Sequence, residues 1–193
     1  FQGENIAGLL SHKITQKGIA RTFQNIRLFP GLTVLDNILI AYHFRTHYSI
    51  FASIIRNEEY HLVEERMTKQ AMELLRLFNL HTYSGLLAGN LPYGEQRKLE
   101  IARALATQPS LLLLDEPAAG MNPYETVKLM ELVRKIREDF QLTIFLIEHQ
   151  MQFVMGICER IMVMDFGIKI AEGTPNEIRN NPKVIEAYLG VEG

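Results

Sequence analysis

Apolar residues in this chain are arranged in two ways, and the arrangement changes near residue 91. Beyond that point, short unbroken apolar runs alternate with longer amphipathic stretches. The run SLLLL, Ser110 to Leu114, stands between Pro109 and Pro117 and leads straight into Asp115 and Glu116. Apolar residues without polar alternation predict a strand buried on both faces, as in a parallel sheet with helices on each side. The two prolines leave too little room for a core helix. LTIFLI, Leu142 to Ile147, predicts a second buried strand. Helical patterns cover Glu95–Gln108, stopped by Pro109, then Pro123–Asp139, with its proline acceptable in the first turn, and a short stretch over Gln150–Cys158. Arg160–Asp165 and Ile168–Glu172 read as two more strands around a turn at Phe166-Gly167, and Pro175 and Pro182 each open a short closing helix. This alternation predicts βαβ units and a parallel sheet, with an antiparallel addition at its end.

Ahead of residue 91 the pattern is different. The stretch to about Pro30 is mixed, with a short β-like piece at IARTFQ. TVLD, Thr33 to Asp36, has the form of a capping box, and an apolar helical face follows through Leu39 and Ile40. From Asn57 to Phe78, Val63, Met67, Leu74, Leu75 and Phe78 keep helical spacing, while Glu64, Glu65, Arg66 and Lys69 form a solvated face. No strand pattern is evident between Leu32 and Leu91, so this stretch reads as a helical subdomain.

Bulk properties narrow the function classes. The chain has 193 residues, 47% of them hydrophobic, enough to bury a core. A net charge of −2 and a pI near 6.3 provide no electrostatic footprint for nucleic acid and no basic belt for anionic lipid. A single cysteine, Cys158, excludes an internal disulfide and fits a reducing compartment. No apolar run reaches the roughly 18 residues of a membrane helix and no signal peptide opens the chain, which predicts a soluble protein. The first residue is Phe1, and FQGENIAGL reads as the interior of a longer sequence.

The chemistry-bearing residues gather behind the two apolar runs. One is followed by Asp115 and Glu116, the other by Glu148 and His149. Open α/β sheets place ligands at the carboxyl ends of their strands, although acids also follow strands simply as turn residues. An Asp there holds Mg²⁺, a following Glu activates a water, and a His contacts a transferring phosphoryl group. LPYGEQRKLEIARAL, Leu91 to Leu105, feeds a Pro/Gly turn into a helix N-terminus, whose unpaired N–H groups and partial positive charge suit phosphate. His43 and His47 stand four apart on an expected helix, a spacing compatible with metal, but with no third ligand evident they read as surface histidines. Cys158 reads as packing.

Taken together, these pieces have an order and spacing that resembles the ATP-binding cassette (ABC) ATPases, the nucleotide-hydrolysing subunits of membrane transporters. Gln24 in GIARTFQ matches the family's Q-loop, and Leu91, Pro92, Tyr93, Gly94 and Glu95 (LPYGE) match the signature usually written LSGGQ. LLLLDE, Leu111 to Glu116, matches Walker B; Ala119, Gly120, Met121 and Asn122 match the D-loop; His149 in LIEH matches the switch histidine. GIARTFQNIRLFPGLTVLDNILIA and the YGEQRKLEIARAL form of the signature are most similar to ATPases of branched-chain amino acid importers. The resemblance implies an α/β fold: a RecA-like P-loop NTPase core, N-terminally truncated, with an inserted helical subdomain. Residues 1–32 would be the remnant of the core's first part with the Q-loop, 33–94 the helical subdomain ending in the signature, and 95–193 the rest of the core.

The resemblance also implies roles. ATP and Mg²⁺ would be the cofactors, with Mg²⁺ held through Asp115 and Gln24; Glu116 would be the catalytic base, with His149 as its catalytic companion. Leu91–Glu95 would close over the nucleotide of a second ABC ATPase subunit in a head-to-tail pair. Transmembrane permease subunits would be partners, an external solute-binding protein an indirect one, and the cytoplasmic face of the membrane the location. Departures from the family pattern are Pro92 and Tyr93 for Ser and Gly, Glu95 for Gln, and Asn122 for Asp. No G-x-x-x-x-G-K-[S/T] occurs in the 193 residues, so Walker A is not present and the chain reads as truncated after it. Two alternatives stand beside this reading: an ABC ATPase serving another solute (urea or amide import, lipid or polysaccharide export), or, for the chain as it stands, a non-catalytic interaction module.

Overall fold

The computed structural model describes residues 1–44 and 58–189. Three strands, β1 (Ile19–Arg21), β2 (Leu111–Asp115) and β3 (Thr143–Ile147), form a parallel sheet in that spatial order. The register sets Arg21 opposite Leu113, Leu113 opposite Phe145, and Asp115 opposite Ile147. All three strands therefore run out at the same edge of the sheet.

The connection from β1 to β2 is long and helical. A short helix α1 (Ser11–Gln16) precedes β1; six residues without an apolar stripe left no periodic signal for it. Helix α2 (Val34–His43) begins at a capping box in which Asp36 N–H donates to Thr33 Oγ1 at 3.0 Å and Thr33 N–H donates to Asp36 Oδ2 at 3.3 Å. Helices α3 (Glu58–Leu77) and α4 (Tyr93–Ala106) follow, and α2 packs against both. Val34 and Ile38 of α2, Ala71 and Leu75 of α3, and Leu99 of α4 are fully buried together. Helix α5 (Pro123–Asp139) carries the chain from β2 to β3, and α6 (Met151–Ile157) leads out of β3.

The apolar runs are buried on one face rather than two. Leu112 and Leu114 of β2 are fully buried with Leu99, Ile101, Ala102 and Leu105 of α4, Leu129, Val133 and Ile136 of α5, and Phe153 of α6. On the opposite face, Phe145 and Ile147 of β3 are 57% and 51% exposed. Neighbouring residues of a strand point to opposite sides, and on this outer face Leu111 and Leu113 of β2 are half-buried while β3 is open. An unbroken apolar run reports that both faces are apolar; it cannot report that both are covered.

The expected antiparallel addition to the sheet is likewise a separate body. β4 (Ile161–Asp165) and β5 (Ile168–Gly173) pair with each other as an antiparallel hairpin, forming a sheet of their own. Its turn is Phe166-Gly167, both at positive φ (42° and 80°), the geometry a two-residue hairpin turn requires. The hairpin packs through Ile161 and Ala171 on Val154 of α6, Ile178 of α7 (Pro175–Arg179) and Val184 of α8 (Pro182–Leu189). Gly173 ends β5 beside the Thr174–Glu177 capping box that opens α7.

One-sided burial makes a quantitative distinction between the two apolar runs. Leu112→Ala is expected to cost about 2–5 kcal/mol, the range for emptying a fully buried leucine site, whereas Phe145→Ser should stay within about 1 kcal/mol because that side chain is already largely in water. Urea denaturation of both variants reads this directly. Equal losses would mean that the outer face of β3 is covered in solution.

Candidate functional site

The carboxyl ends of the three strands bring together the residues that the sequence singled out. Beyond β1 the chain passes through Thr22 to Gln24; beyond β2 comes Glu116; beyond β3 come Glu148 and His149. Gln24 Nε2 donates to Glu116 Oε2 at 2.7 Å, and His149 Nδ1 lies 3.7 Å from Glu116 Oε1. Glu116 is thus bracketed by an amide from one neighbouring strand end and an imidazole from the other. Asp115 Oδ2 accepts from Arg21 Nη2 at 2.8 Å, a half-exposed ion pair whose energy solvent screening keeps small.

Backbone geometry aims Glu116. Its φ is +44°, in the left-handed region that costs a non-glycine residue about 1–2 kcal/mol. The residue is held there because its N–H continues the sheet, donating to Ile147 O at 2.8 Å, while its own carbonyl accepts from Ala119 N–H at 3.1 Å. The chain leaves the strand sharply enough for the carboxylate to stay at the sheet edge, only a quarter exposed, instead of trailing into solvent.

Glu148 behaves unlike its neighbours. Its side chain is completely buried and turned inward, where Oε1 accepts from Ala118 N–H at 3.1 Å and Oε2 from the N–H groups of His149 and Gln150 at 2.8 and 3.1 Å. Gln150 Nε2 adds a bond to Ala118 O at 3.2 Å. One carboxylate therefore ties the segment after Glu116 to the backbone that carries His149. The sequence showed an acid at a strand end; it did not show that this acid faces inward, and the i, i+1, i+2 pattern of N–H groups it caps has no residue signature.

The signature residues form the head of α4. Leu91 is buried and its carbonyl accepts from Gln96 Nε2 at 2.8 Å; Pro92 sits at the N-cap, where it supplies no side-chain cap. Glu95 pairs with Lys98 at 2.9 Å. A Cβ on Gly94 would stand 3.2 Å from Glu125 Oε1, so the heads of α4 and α5 lie side by side. Ala119, Gly120 (φ +76°) and Met121 make the bend that leads into α5, and Asn122 caps that helix, accepting from Glu125 N–H at 3.0 Å. Asn and Asp are equivalent caps, so the asparagine preserves the helix start.

The remaining candidates stay apart from this cluster. His43 Nε2 lies 3.7 Å from Glu64 Oε1, and His47 falls outside the described residues. Among the described residues no three His, Cys, Asp or Glu side chains are grouped to hold a metal by themselves. Cys158 is half-buried among Val154 and its neighbours, and burial pushes its thiol above the ordinary range, consistent with packing. No helix among the described residues is long and apolar enough to cross a membrane.

The donor set at the strand ends is oxygen-rich: the Asp115 and Glu116 carboxylates and the Gln24 carboxamide. It fits a hard divalent cation that keeps part of its water shell. A parallel α/β sheet whose strand ends bring acid, amide and imidazole together is the kind of edge at which open α/β folds bind ligands. Residues 1–119 match the ABC transporter family, and residues 169–193 match the family described as branched-chain amino acid ATP-binding cassette transporter. The chain belongs to the ABC transporter family, as one of its ATP-binding cassettes.

Among its relatives, the high-affinity branched-chain amino acid transport ATP-binding protein BraF of Pseudomonas aeruginosa is 45% identical over 190 residues, covering 98% of this chain and 74% of that protein. LivG of Escherichia coli, of the same description, is 44% identical over the same shares. The ADP conformation of an ATP-binding cassette of an ABC transporter superposes with a TM-score of 0.79 at 30% identity, covering 98% of this chain and 75% of that one.

Removing the buried carboxylate tests its place in this geometry. Glu148→Gln puts an amide N–H where one oxygen accepted, so at least one charge-assisted bond is lost, at about 1.5–3 kcal/mol. Urea unfolding should show that loss, with faster amide exchange at Ala118 or at His149 and Gln150. A cost under about 0.5 kcal/mol would mean that Glu148 does not hold these segments.

Proposed function

We propose that this chain forms the hydrolytic part of an ATP-binding subunit that powers import of branched-chain amino acids through permease partners. The observation that carries the reading is the bracketing of Glu116 between Gln24 and His149 at the carboxyl edge of the sheet. Asp115 and Gln24 would hold Mg²⁺, which when bound supplies positive charge against the phosphates. Glu116 accepts the proton of an attacking water; its strained backbone and the Gln24 amide fix the direction in which the free lone pairs point. His149, on the other flank, would donate to the transferring group, and its backbone is fixed by Glu148. Arg21 shares the Asp115 carboxylate and neutralises it before a cation arrives.

Pairing supports the same reading. A structural neighbour at 27% identity and TM-score 0.68 is a dimeric post-hydrolysis ATP-binding cassette bound to ADP and phosphate. In such a pair, Leu91–Glu95 at the head of α4 would meet the partner's nucleotide, where helix N–H groups stabilise phosphate. With Pro92 in place of a serine, Gly94 and the helix head carry that contact.

The permease would dock beside Gln24. A groove of about 290 Å³ opens next to Phe23, lined also by Phe29, Ile40 and Phe44, with the guanidinium groups of Arg21 and Arg103 beside it, a surface suited to a short amphipathic helix of a membrane subunit. Such docking would hold the chain at the cytoplasmic face of the membrane. The solute follows from the relatives' descriptions: BraF and LivG at 44–45% identity against 31% for the lipopolysaccharide export ATP-binding protein LptB of Haemophilus influenzae. An external solute-binding protein would deliver it to the permease.

The test is Glu116→Gln in the assembled transporter. The amide preserves size but takes no proton, so ATP binding should persist while turnover falls by about 10²–10⁴ and ATP-bound pairs accumulate. Turnover within tenfold of the parent would remove Glu116 from the role of base.

A further inference from the structure

The tyrosine that stands where the ABC signature has glycine does something a glycine cannot. Tyr93 Oη accepts from Arg97 Nη2 at 3.0 Å, one turn along α4. Arg97 is fully buried, and the rest of its guanidinium reaches out of the helix to the loop that follows β1. Nη1 donates to Phe23 O at 2.6 Å, and Nη2 donates to Gln24 O at 2.7 Å. Nη1 also donates to Glu100 Oε2 at 2.9 Å, and Oε1 of that buried carboxylate accepts from Arg27 N–H at 3.1 Å. Nε is the guanidinium nitrogen without a partner among the described residues.

The hydroxyl-bearing edge of the tyrosine ring also faces the bend after Glu116. A Cβ at Gly120 would lie 3.2 Å from Tyr93 Cε1, so the ring packs directly on a backbone that already sits at φ +76°. The head of α4, the Gln24 loop and the Ala119–Asn122 bend therefore meet at a single aromatic side chain.

We propose that Arg97 is a positioning residue for Gln24, and that Tyr93 joins this clamp to the bend after Glu116, so that the three segments hold one relative placement. A rigid fork spanning two successive carbonyls fixes where the Gln24 backbone stands, and hence whether its amide reaches Glu116. Lysine has no such fork. The inference rests on the proposed function only in taking Gln24 and Glu116 as parts of the site; the clamp itself is a statement about this chain. Its consequence is that a partner engaging the head of α4 acts on the placement of Gln24 through Tyr93 and Arg97.

The experiment uses the ¹⁵N-labelled 193-residue chain with Tyr93→Phe and Arg97→Lys, reading the Gln24 side-chain amide resonances and the exchange rate of the Arg27 amide. Arg97→Lys should move the Gln24 resonances to the positions seen when Glu116 is replaced by Ala, and speed Arg27 exchange tenfold or more. Tyr93→Phe keeps the ring on Gly120 and removes only the hydroxyl. It should shift Gln24 in the same direction, with Arg27 exchange about fivefold faster, the size of one lost hydrogen bond.

In both variants the amides of β2 and β3 should exchange at parent rates. Unmoved Gln24 resonances in folded variants overturn the proposal, as does an equal acceleration in β2 and β3, which would make Arg97 a mere support of the fold. If Arg97→Lys does not fold, Tyr93→Phe decides alone. No readout involves nucleotide, so a negative result leaves the role of Glu116 standing, and a normal turnover in Glu116→Gln leaves the clamp standing.

Discussion

Parallel pairing of β1, β2 and β3 in one fixed register is the constraint on which the site depends. Asp115 lies opposite Ile147, and the Glu116 N–H donates one more bond to Ile147 O before the chain turns. A shift of one residue would send Leu112 and Leu114 to the open face and carry the acids away from His149. The register is held by burial on a single face, where α4, α5 and α6 cover the alternate leucines. The same packing that stabilises the sheet therefore sets the distance between Gln24, Glu116 and His149.

Around this edge, buried polar groups do the fastening. Arg97 with Glu100 anchors the Gln24 loop, and Glu148 anchors the His149 backbone to Ala118. A buried charge is tolerable only when its hydrogen bonds are met, and each of these makes several. Surface loops are ordinarily the loosest parts of a fold; here the two that carry Gln24 and His149 are tied to helix and strand through buried side chains.

The sequence made the element types legible because the apolar periods are long and clean. The Thr33–Asp36 cap, the Phe166-Gly167 turn and the helix starts at Pro123, Pro175 and Pro182 appear where local chemistry demands them. Coverage was not legible: SLLLL and LTIFLI look alike whether one face or both are packed. Strand ends naming Asp115, Glu116 and His149 were readable because polar residues break an apolar run. Arg97 and the inward turn of Glu148 were hidden, because a charged residue on an amphipathic helix or after a strand looks like surface until the packing shows where it points.

The central claim is that the three strand ends form one metal–nucleotide site, and paramagnetic broadening tests it most directly. Mn²⁺ replaces Mg²⁺ at oxygen-ligand sites, and with millimolar ATP it reports even weak binding, as is expected of 193 residues containing no G-x-x-x-x-G-K-[S/T]. Titrating the ¹⁵N-labelled chain should broaden Gln24, Asp115, Glu116 and His149 first, spare the β4–β5 hairpin, and lose the effect in Asp115→Asn. Broadening centred elsewhere, or unchanged by Asp115→Asn, would contradict the account.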